Sequence, residues 1–178
     1  THWGLSGPAA LKLSSWGARV LSECDYAFEL QVAWVRLPPA DLAERMTRFR
    51  QQNPARAVAT GGVVEVPMRL WEWLCGRAGI PAARQWGQLA REQAGRLVAE
   101  VAGCRLPVTG KSMFKEEFVT CGGVRLSEVN FKTMESKLCP GLHFAGEVLD
   151  IDAVTGGFNF QAAWTTGWIA GRAMAGVA

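Results

Sequence analysis

The stretch of residues 140–171 constrains the fold more than any other part of the chain. It predicts a short apolar strand over 142–145, a sharp turn at Gly146, a loop that ends in Gly156-Gly157, and then a helix. A glycine at a strand end leaves bare backbone that a ligand can approach closely. Open α/β sheets bind their ligands at this end of the strand, where Glu147 follows. The same pattern occurs in α/β proteins that hold no cofactor, so on its own it leaves the ligand open.

The last helix is predicted over residues 160–175, with Asn159 as its N-cap candidate. A helix N-terminus carries free N–H groups and a partial positive charge, which suit a negatively charged group on a ligand. Small residues at several helix positions favour close packing on a sheet: Ala163, Gly167, Ala170, Gly171 and Ala175. Trp164 and Trp168 are four residues apart and are expected to project together.

The first 38 residues predict a helix followed by a strand. Ser6 is a candidate N-cap and Pro8 suits the first helical turn, where a missing N–H costs little. Apolar residues then alternate with polar ones over 26–36, which predicts a half-buried strand. Pro38-Pro39 ends this strand.

Residues 39–102 predict a helical region. Asp41 is the N-cap candidate of its first helix, Pro67 begins the second, and helical spacing of apolar residues over 83–101 predicts the third. The tryptophans of this region are interpreted as core residues, which is the ordinary use of Trp.

After Gly103 the chain predicts short strands over 104–108, 117–120 and 142–145, separated by loops rich in Gly, Asn, Lys and Pro. Glu147, Asp150 and Asp152 lie close together in sequence, but nothing supplies the further ligands that a metal needs. No metal site is therefore predicted.

The composition excludes several classes of protein. A net charge of +3, with Lys and Arg scattered among Asp and Glu, does not favour nucleic-acid binding. Polar residues interrupt the apolar stretch over 158–178, so no membrane span is expected. Five cysteines without a C-x-x-C pair indicate reduced thiols and a cytoplasmic protein.

Three blocks of sequence together resemble one family. The first is GLHFAGEVLDIDAVTGGFNFQAAW at 141–164, and the second is THWGLSGPA at 1–9. The third begins with VTCGGV at 119–124 and continues through EVN at 128–130 to KTMESK at 132–137. The blocks resemble the BaiN-like, or YhiN-like, NAD(P)/FAD-dependent oxidoreductases and stand in the order that this family has. The middle of the chain matches the family only loosely.

The resemblance implies an α+β or α/β fragment of a split, Rossmann-like FAD domain with part of its insertion. Residues 1–38 are then expected to end an inserted β-rich subdomain and residues 39–102 to form a helical inserted subdomain. Residues 103–178 are expected to return to the FAD-binding domain. The implied activity is hydride transfer between flavin and either a small-molecule substrate or NAD(P)H.

The resemblance also implies which residues bind FAD. Gly146 and Glu147 are expected along the ribityl-pyrophosphate, where the carboxylate would accept hydrogen bonds from ribityl hydroxyls. The turn Gly122-Gly123-Val124 is expected close to the flavin. The residues expected near the isoalloxazine are Gly156, Gly157, Asn159 and Phe160.

One departure from the family is as informative as the matches. No G-x-G-x-x-G fingerprint follows an N-terminal strand in this sequence. The family carries that fingerprint before the point that matches Thr1, so a missing N-terminal FAD-domain segment is the expected partner. Without that segment we expect weak FAD binding and no activity from this chain alone.

Two other functions remain open at this stage. The absent fingerprint and the Trp-rich helices also suit a non-catalytic remnant or a protein-interaction module. Binding of single-stranded nucleic acid through Trp and Arg would require a basic groove. His2, His143 and Cys121 are interpreted as structural, and no catalytic residue is assigned, because no carboxylate or resolving Cys is placed beside them in sequence.

Overall fold

The computed structural model of the chain describes residues 4–111, 119–153 and 156–177. Across these residues, helices and short strands mix as expected for an α+β protein. The helices are α1 (Pro8–Trp16), α2 (Ala18–Glu23), α3 (Pro39–Gln52), α4 (Met68–Arg77), α5 (Arg91–Gly103) and α6 (Phe158–Met174). The strands are β1 (Ala27–Val32), β2 (Cys104–Thr109), β3 (Val129–Asn130) and β4 (Glu135–Ser136), with β1 paired to β2 and β3 antiparallel to β4.

The chain forms two compact units. Residues 28–108 form one, called here the helical unit, and residues 1–27 with 109–178 form the other, called the flanking unit. The predicted segments 1–38, 39–102 and 103–178 correspond to subdomains of the longer proteins of the resembled family, and this assignment remains a prediction.

The helical unit has a large apolar core. Helices α3, α4 and α5 enclose side chains that are almost fully buried, among them Leu42, Trp71, Trp86 and Leu97. The indole N–H of Trp71 donates to the carbonyl of Val58 at 2.7 Å, which satisfies its only polar atom. This unit therefore contains its own hydrophobic core, as its helical periodicity predicts.

The predicted helix over 83–101 is shorter than expected. A 3₁₀ turn at Trp86–Gln88 precedes α5, which begins at Arg91. The amides of Trp86 and Gly87 donate to Arg56 and Pro54, so these groups are bonded to another loop and cannot extend the helix. Trp86 is buried in the 3₁₀ turn and not in α5. Its helical spacing from the apolar residues of α5 is therefore coincidental.

The strand predictions divide into two confirmations and two corrections: β2 forms over the predicted residues 104–108, and β1 forms within the predicted 26–36. In β1 the burial alternates as predicted, with Phe28 on the half-buried side, although the strand ends at Val32. The predicted strand over 142–145 is wrong, because only His143 bridges Glu135 there. Its partner β4 is two residues long, too short to support a ladder. The prediction for 117–120 lies partly outside the described residues, and Val119 and Thr120 are not in a strand.

The N-cap predictions were wrong for α1 and for α3. Gly7, rather than Ser6, precedes α1, while Pro8 occupies the first turn as expected. Pro38 precedes α3 and places Asp41 in its first turn. A carboxylate there still interacts favourably with the helix dipole. Throughout the described residues, no helix is sufficiently long and apolar to cross a membrane.

Cys75 gives the helical core a pH-dependent stability. Burial, with a smaller effect of the Glu72 charge, raises the pKa of this thiol to about 11 from a usual value of 9.0. The folded state therefore keeps a proton that the unfolded state loses. We expect the buried thiol to contribute its full stabilisation below pH about 9. The free energy of unfolding should then fall by about 2 kcal/mol as the pH rises to about 11.

The measurement is the free energy of unfolding against pH, under reducing conditions, for the wild type and Cys75→Ala. The wild type should lose more stability across this pH range than Cys75→Ala. Cys24→Ala is the control, because Cys24 is exposed and its removal should leave the wild-type slope unchanged. Parallel curves for the wild type and Cys75→Ala would contradict the prediction.

Candidate functional site

Two of the predicted cofactor-binding segments lie side by side in the flanking unit. The amide of Val124 donates to Val148 at 2.8 Å, and the amide of Asp150 donates to Val124 at 3.0 Å. These bonds form an isolated parallel bridge between Val124 and Leu149. Leu149 is buried with Val129, Met134 and Ala170 in the small core of the unit. The turn at 122–124 and the segment at 146–150 are therefore fixed against each other.

Gly123 permits this close approach. A Cβ on Gly123 would lie 2.5 Å from the carbonyl oxygen of Val148, 2.6 Å from the carbonyl carbon of Leu149 and 2.8 Å from the amide nitrogen of Asp150. All three are backbone atoms, which cannot move aside as a flexible side chain would. Its φ of 154° is also one that residues with side chains rarely adopt. A glycine is required here for packing, independently of any ligand.

Glu147 connects the same two segments. Its Oε1 accepts a hydrogen bond from the amide of Thr120 at 2.8 Å, across 27 positions of sequence. A charged acceptor of this kind holds a loop more firmly than a neutral one. The side chain is exposed, and within the described residues its Oε2 makes no hydrogen bond. Glu147 thus has a structural role that the sequence did not reveal, and one oxygen left for other partners.

Gly146 attaches this segment to α6. It begins a 3₁₀ turn, Gly146–Val148, with a φ of 76°. Its amide donates to Oγ1 of Thr166 at 2.9 Å, and that hydroxyl donates to the carbonyl of Ala162 at 2.7 Å. Thr166 is only 6% exposed, so this bond lies in the packed interface between the turn and the helix. The predicted strand end at Gly146 is therefore the start of a helical turn packed on α6.

The N-terminus of α6 differs from its prediction. The N-cap is Gly157, and no side chain caps the helix. Asn159, the predicted N-cap, lies in the first turn, where its Oδ1 accepts from the amide of Ala153 at 2.9 Å and its Nδ2 donates to the carbonyl of Ala153 at 3.0 Å. This pair of bonds fixes residue 153 to the helix start. The free N–H groups of the first turn therefore remain uncapped by side chains.

Phe160 lies on a different face of α6 from Thr166. Phe160, Trp164 and Trp168 follow each other at intervals of four residues and are 69%, 70% and 62% exposed. Phe160 stacks on Trp164 with ring centroids 6.1 Å apart, and the guanidinium of Arg172 lies 4.6 Å from the ring of Trp168. We call these three aromatic residues the aromatic stripe. They point away from the side of the helix that contacts Gly146.

Arg19 is a neighbour of this site that the sequence did not predict. Its Nη2 lies 2.7 Å from Oδ1 of Asp150, 131 positions away, and the thiol of Cys121 lies beside the same guanidinium. The Cys121 contact first, and Asp150 second, raise the pKa of Arg19. The pair is exposed to solvent, so its main effect is to orient α2 against the loops. A contact between residues so distant in sequence leaves no local signal.

The histidines and acidic residues form no further centre in the described part of the chain. Nδ1 of His143 lies 3.4 Å from the carbonyl of Gly141 in its own loop, and His2 lies outside the described residues. No three His, Cys, Asp or Glu side chains among the residues described are placed to hold a metal ion.

Gly123→Ala should disrupt the bridge at 122–124. A Cβ among three backbone atoms, at an unfavourable φ, is expected to cost about 2–5 kcal/mol. Hydrogen exchange at the amides of Val124 and Asp150 reports this directly, and both should exchange faster. Gly171→Ala is the control, because its Cβ meets no atom within 4 Å and adds helix propensity. Unchanged exchange in Gly123→Ala would show that the close approach is not required.

Thr166→Val should release Gly146 from α6. The change keeps the side-chain shape but leaves the Gly146 amide without an acceptor, which we expect to cost about 1–2 kcal/mol. Thr165→Val is a matched control on the adjacent, exposed position, expected to change stability by less than about 0.5 kcal/mol. Urea unfolding of both variants gives the comparison. Equal effects of the two changes would contradict the assigned role of Thr166.

Comparison with known proteins identifies the family of the chain. Residues 17–173 match the family model described as HI0933-like protein Rossmann domain. The chain is 33% identical over 169 residues to a ribosomal RNA dihydrouridine synthase from Escherichia coli, covering 94% of this chain and 40% of that protein. It is 38% identical over 186 residues to a 3-dehydro-bile acid delta(4,6)-reductase from Clostridium scindens, covering 98% of this chain and 43% of that protein.

A third relative, a ribosomal RNA dihydrouridine synthase from Haemophilus influenzae, is 31% identical over 170 residues, covering 94% of this chain and 39% of that protein. The chain thus spans about two fifths of the length of these curated relatives. The resemblance to the BaiN-like, or YhiN-like, oxidoreductases is confirmed. The chain belongs to the HI0933-like family of Rossmann-domain flavoprotein oxidoreductases.

Proposed function

We propose that this chain is the C-terminal portion of an FAD-dependent oxidoreductase and that its flanking unit closes the FAD site. In this proposal Gly146 and Glu147 lie along the ribityl-pyrophosphate, and Gly122, Gly123 and Val124 lie close to the flavin. Gly156, Gly157, Asn159 and Phe160 lie near the isoalloxazine. Membership of the family supports the class of reaction, and the geometry supports the choice of residues.

One observation carries the proposal. The turn at 122–124 and the segment at 146–150 come from distant parts of the sequence, yet backbone bonds of 2.8 and 3.0 Å hold them side by side. The turn approaches the other segment through Gly123, and a Cβ on the neighbouring Gly122 would meet no atom within 4 Å. Backbone with open space beside it is what a nucleotide cofactor needs for close contact.

The N-terminus of α6 provides the electrostatic part of the proposal. Gly156 and Gly157 precede the helix, and a Cβ on either would meet no atom within 4 Å. A helix start without a side-chain cap keeps N–H donors and a partial positive charge available to a ligand. Aimed at the pyrimidine edge of a flavin, these groups would stabilise the negative charge that gathers there on reduction. When bound, the flavin supplies hydride transfer at N5.

The same proposal assigns a role to Glu147. Since Oε1 accepts from Thr120, the proposed acceptor for a ribityl hydroxyl is Oε2, which makes no hydrogen bond to the described residues. The carboxylate would then connect the 120–124 turn, the 146–148 turn and the cofactor. A carboxylate in this position also disfavours direct contact with phosphate, which directs the pyrophosphate elsewhere.

The aromatic stripe supports a partner for the flanking unit. Three aromatic side chains, each more than 60% exposed, lie on one helix face, and grouped exposed apolar side chains mark interaction surfaces. The matched relatives are more than twice the length of this chain. We propose that an N-terminal FAD-domain segment, with the G-x-G-x-x-G fingerprint, covers the stripe and holds the rest of the cofactor.

The relatives indicate the general class of substrate that we propose. The name of two relatives describes formation of dihydrouridine, and the name of the third describes a bile-acid reductase. Both are additions of hydrogen to an unsaturated ring, which suits hydride delivery from reduced flavin, with NAD(P)H as the proposed donor. The exposed stripe would equally serve a non-catalytic interaction module, and the experiment below separates the two.

The test is the visible absorption spectrum of added FAD with this chain, with the separately expressed N-terminal segment, and with both. We expect the flavin bands to sharpen and shift fully only in the mixture. Trp164→Ala, which removes the centre of the stripe, should weaken assembly about tenfold or more. Trp73→Ala is the matched control, because Trp73 is an exposed tryptophan of the helical unit. Assembly without any change in the flavin bands would favour the interaction module.

A further inference from the structure

Residues 142–145 form the border of a small sheet in the flanking unit. The amide of Ser136 donates to the carbonyl of Leu142 at 2.7 Å, and the amide of Phe144 donates to the carbonyl of Met134 at 2.9 Å. These bonds join the segment antiparallel to β4, which is also paired with β3. One edge of the segment is therefore already bonded, although the segment is too briefly paired to count as a strand.

The other edge of the segment has no partner. In extended backbone, successive residues direct their N–H and C=O groups to opposite edges. Since Leu142 and Phe144 bond toward β4, the backbone groups of His143 and Ala145 point outward. Ala145 is extended, with φ −151° and ψ 152°, and is exposed. The backbone amides and carbonyls of His143 and Ala145 make no hydrogen bond to any described residue.

This outer edge lacks the features that usually protect an open strand. Soluble proteins place charged residues, proline or a bulge at such edges, which prevents pairing with other chains. The sequence between Gly141 and Gly146 is Leu-His-Phe-Ala, without any charged residue or proline. Leu142 and Phe144 share one face of the segment. Phe144 packs against the small core of the unit, whereas Leu142 is 44% exposed, so this face is only partly covered.

We propose that residues 142–145 receive a strand from the N-terminal FAD-domain segment. The added strand bonds to the backbone of His143 and Ala145 and covers Leu142, which is the mode of recognition called strand addition. This inference rests on the proposed function, because it uses the same missing segment. It also accounts for an apolar sequence that predicts a strand over 142–145 which this chain does not complete.

Two observations favour this occupant. The chain spans about two fifths of the length of its relatives, so each relative has ample further sequence to provide a strand. The edge also leads directly into Gly146 and Glu147, so a strand added there lies next to the proposed cofactor segment. The edge does not include the aromatic stripe of α6, and the two contacts can therefore be tested separately.

The first test is hydrogen exchange, measured by NMR on the 178-residue chain alone and after mixing with the N-terminal segment. The amides of His143 and Ala145 should exchange at least about tenfold more slowly in the assembly, because each gains an acceptor. The amide of Phe144 already donates to Met134 and should be protected in both samples. This internal reference shows that the sheet is present before the partner is added.

Two substitutions at one position separate backbone pairing from side-chain contact. His143→Pro removes the outward amide that an added strand would use and should weaken assembly about tenfold or more. His143→Ala keeps this amide and removes only the side chain, so the affinity should change less than about twofold. Neither change removes a bond to β4, and a protected Phe144 amide confirms that each variant keeps the inner edge.

Three results would overturn the proposal. The first is unchanged exchange at His143 and Ala145 after mixing, and the second is equal weakening by the two substitutions. The third is protection in the chain alone that rises with its concentration, because a second copy would then occupy the edge. Changed flavin bands without protection of these amides would refute the added strand alone. Protection without any change in the flavin bands would refute the flavin proposal alone.

Discussion

The backbone contact between Gly123 and residues 148–150 is the constraint on which the candidate site depends. It brings a turn and a strand-like segment, separated in sequence by a stretch of loops, to within hydrogen-bonding distance. Glu147 and Thr166 then fix the same region to the Thr120 loop and to α6. Each contact uses a backbone amide as donor, and the acceptors are backbone carbonyls, the Glu147 carboxylate and the Thr166 hydroxyl. A site built in this way suits a cofactor that is held along its length by backbone groups.

The two units achieve their stability differently. The helical unit buries large side chains such as Trp71 and Trp86 around a continuous core. Among its described residues, the flanking unit has a core of Val129, Met134, Leu149 and Ala170 and leaves the aromatic stripe of α6 in solvent. Buried apolar area is the main source of stability, so the flanking unit has more to gain from a partner surface. This asymmetry agrees with a chain that spans about two fifths of the length of its relatives, and it gives a physical reason for a covering segment.

Sequence reasoning succeeded for properties that are set within one segment. It failed where a contact with a distant segment determines the structure. The alternation of β1 and the extent of α6 follow from periodicity, and both are found within two residues of their predicted starts. The N-cap at Asn159 was wrong because a bidentate bond to Ala153, set by loop geometry, occupies its side chain. The strand at 142–145 was wrong because β4, which His143 bridges, is only two residues long. The contacts of Glu147 and Arg19 span 27 and 131 positions, and no pattern within one segment encodes them.

The central claim is that residues 119–160 close over FAD, and photolabelling tests it most directly. The chain, assembled with the N-terminal segment, would be illuminated in the presence of an FAD analogue that carries an azide on its isoalloxazine ring, and labelled peptides identified by mass spectrometry. The account predicts label in the peptides that contain Gly122-Gly123 or Gly156–Phe160, and competition by unmodified FAD. Label confined to residues 28–108, or label that FAD does not displace, would contradict it.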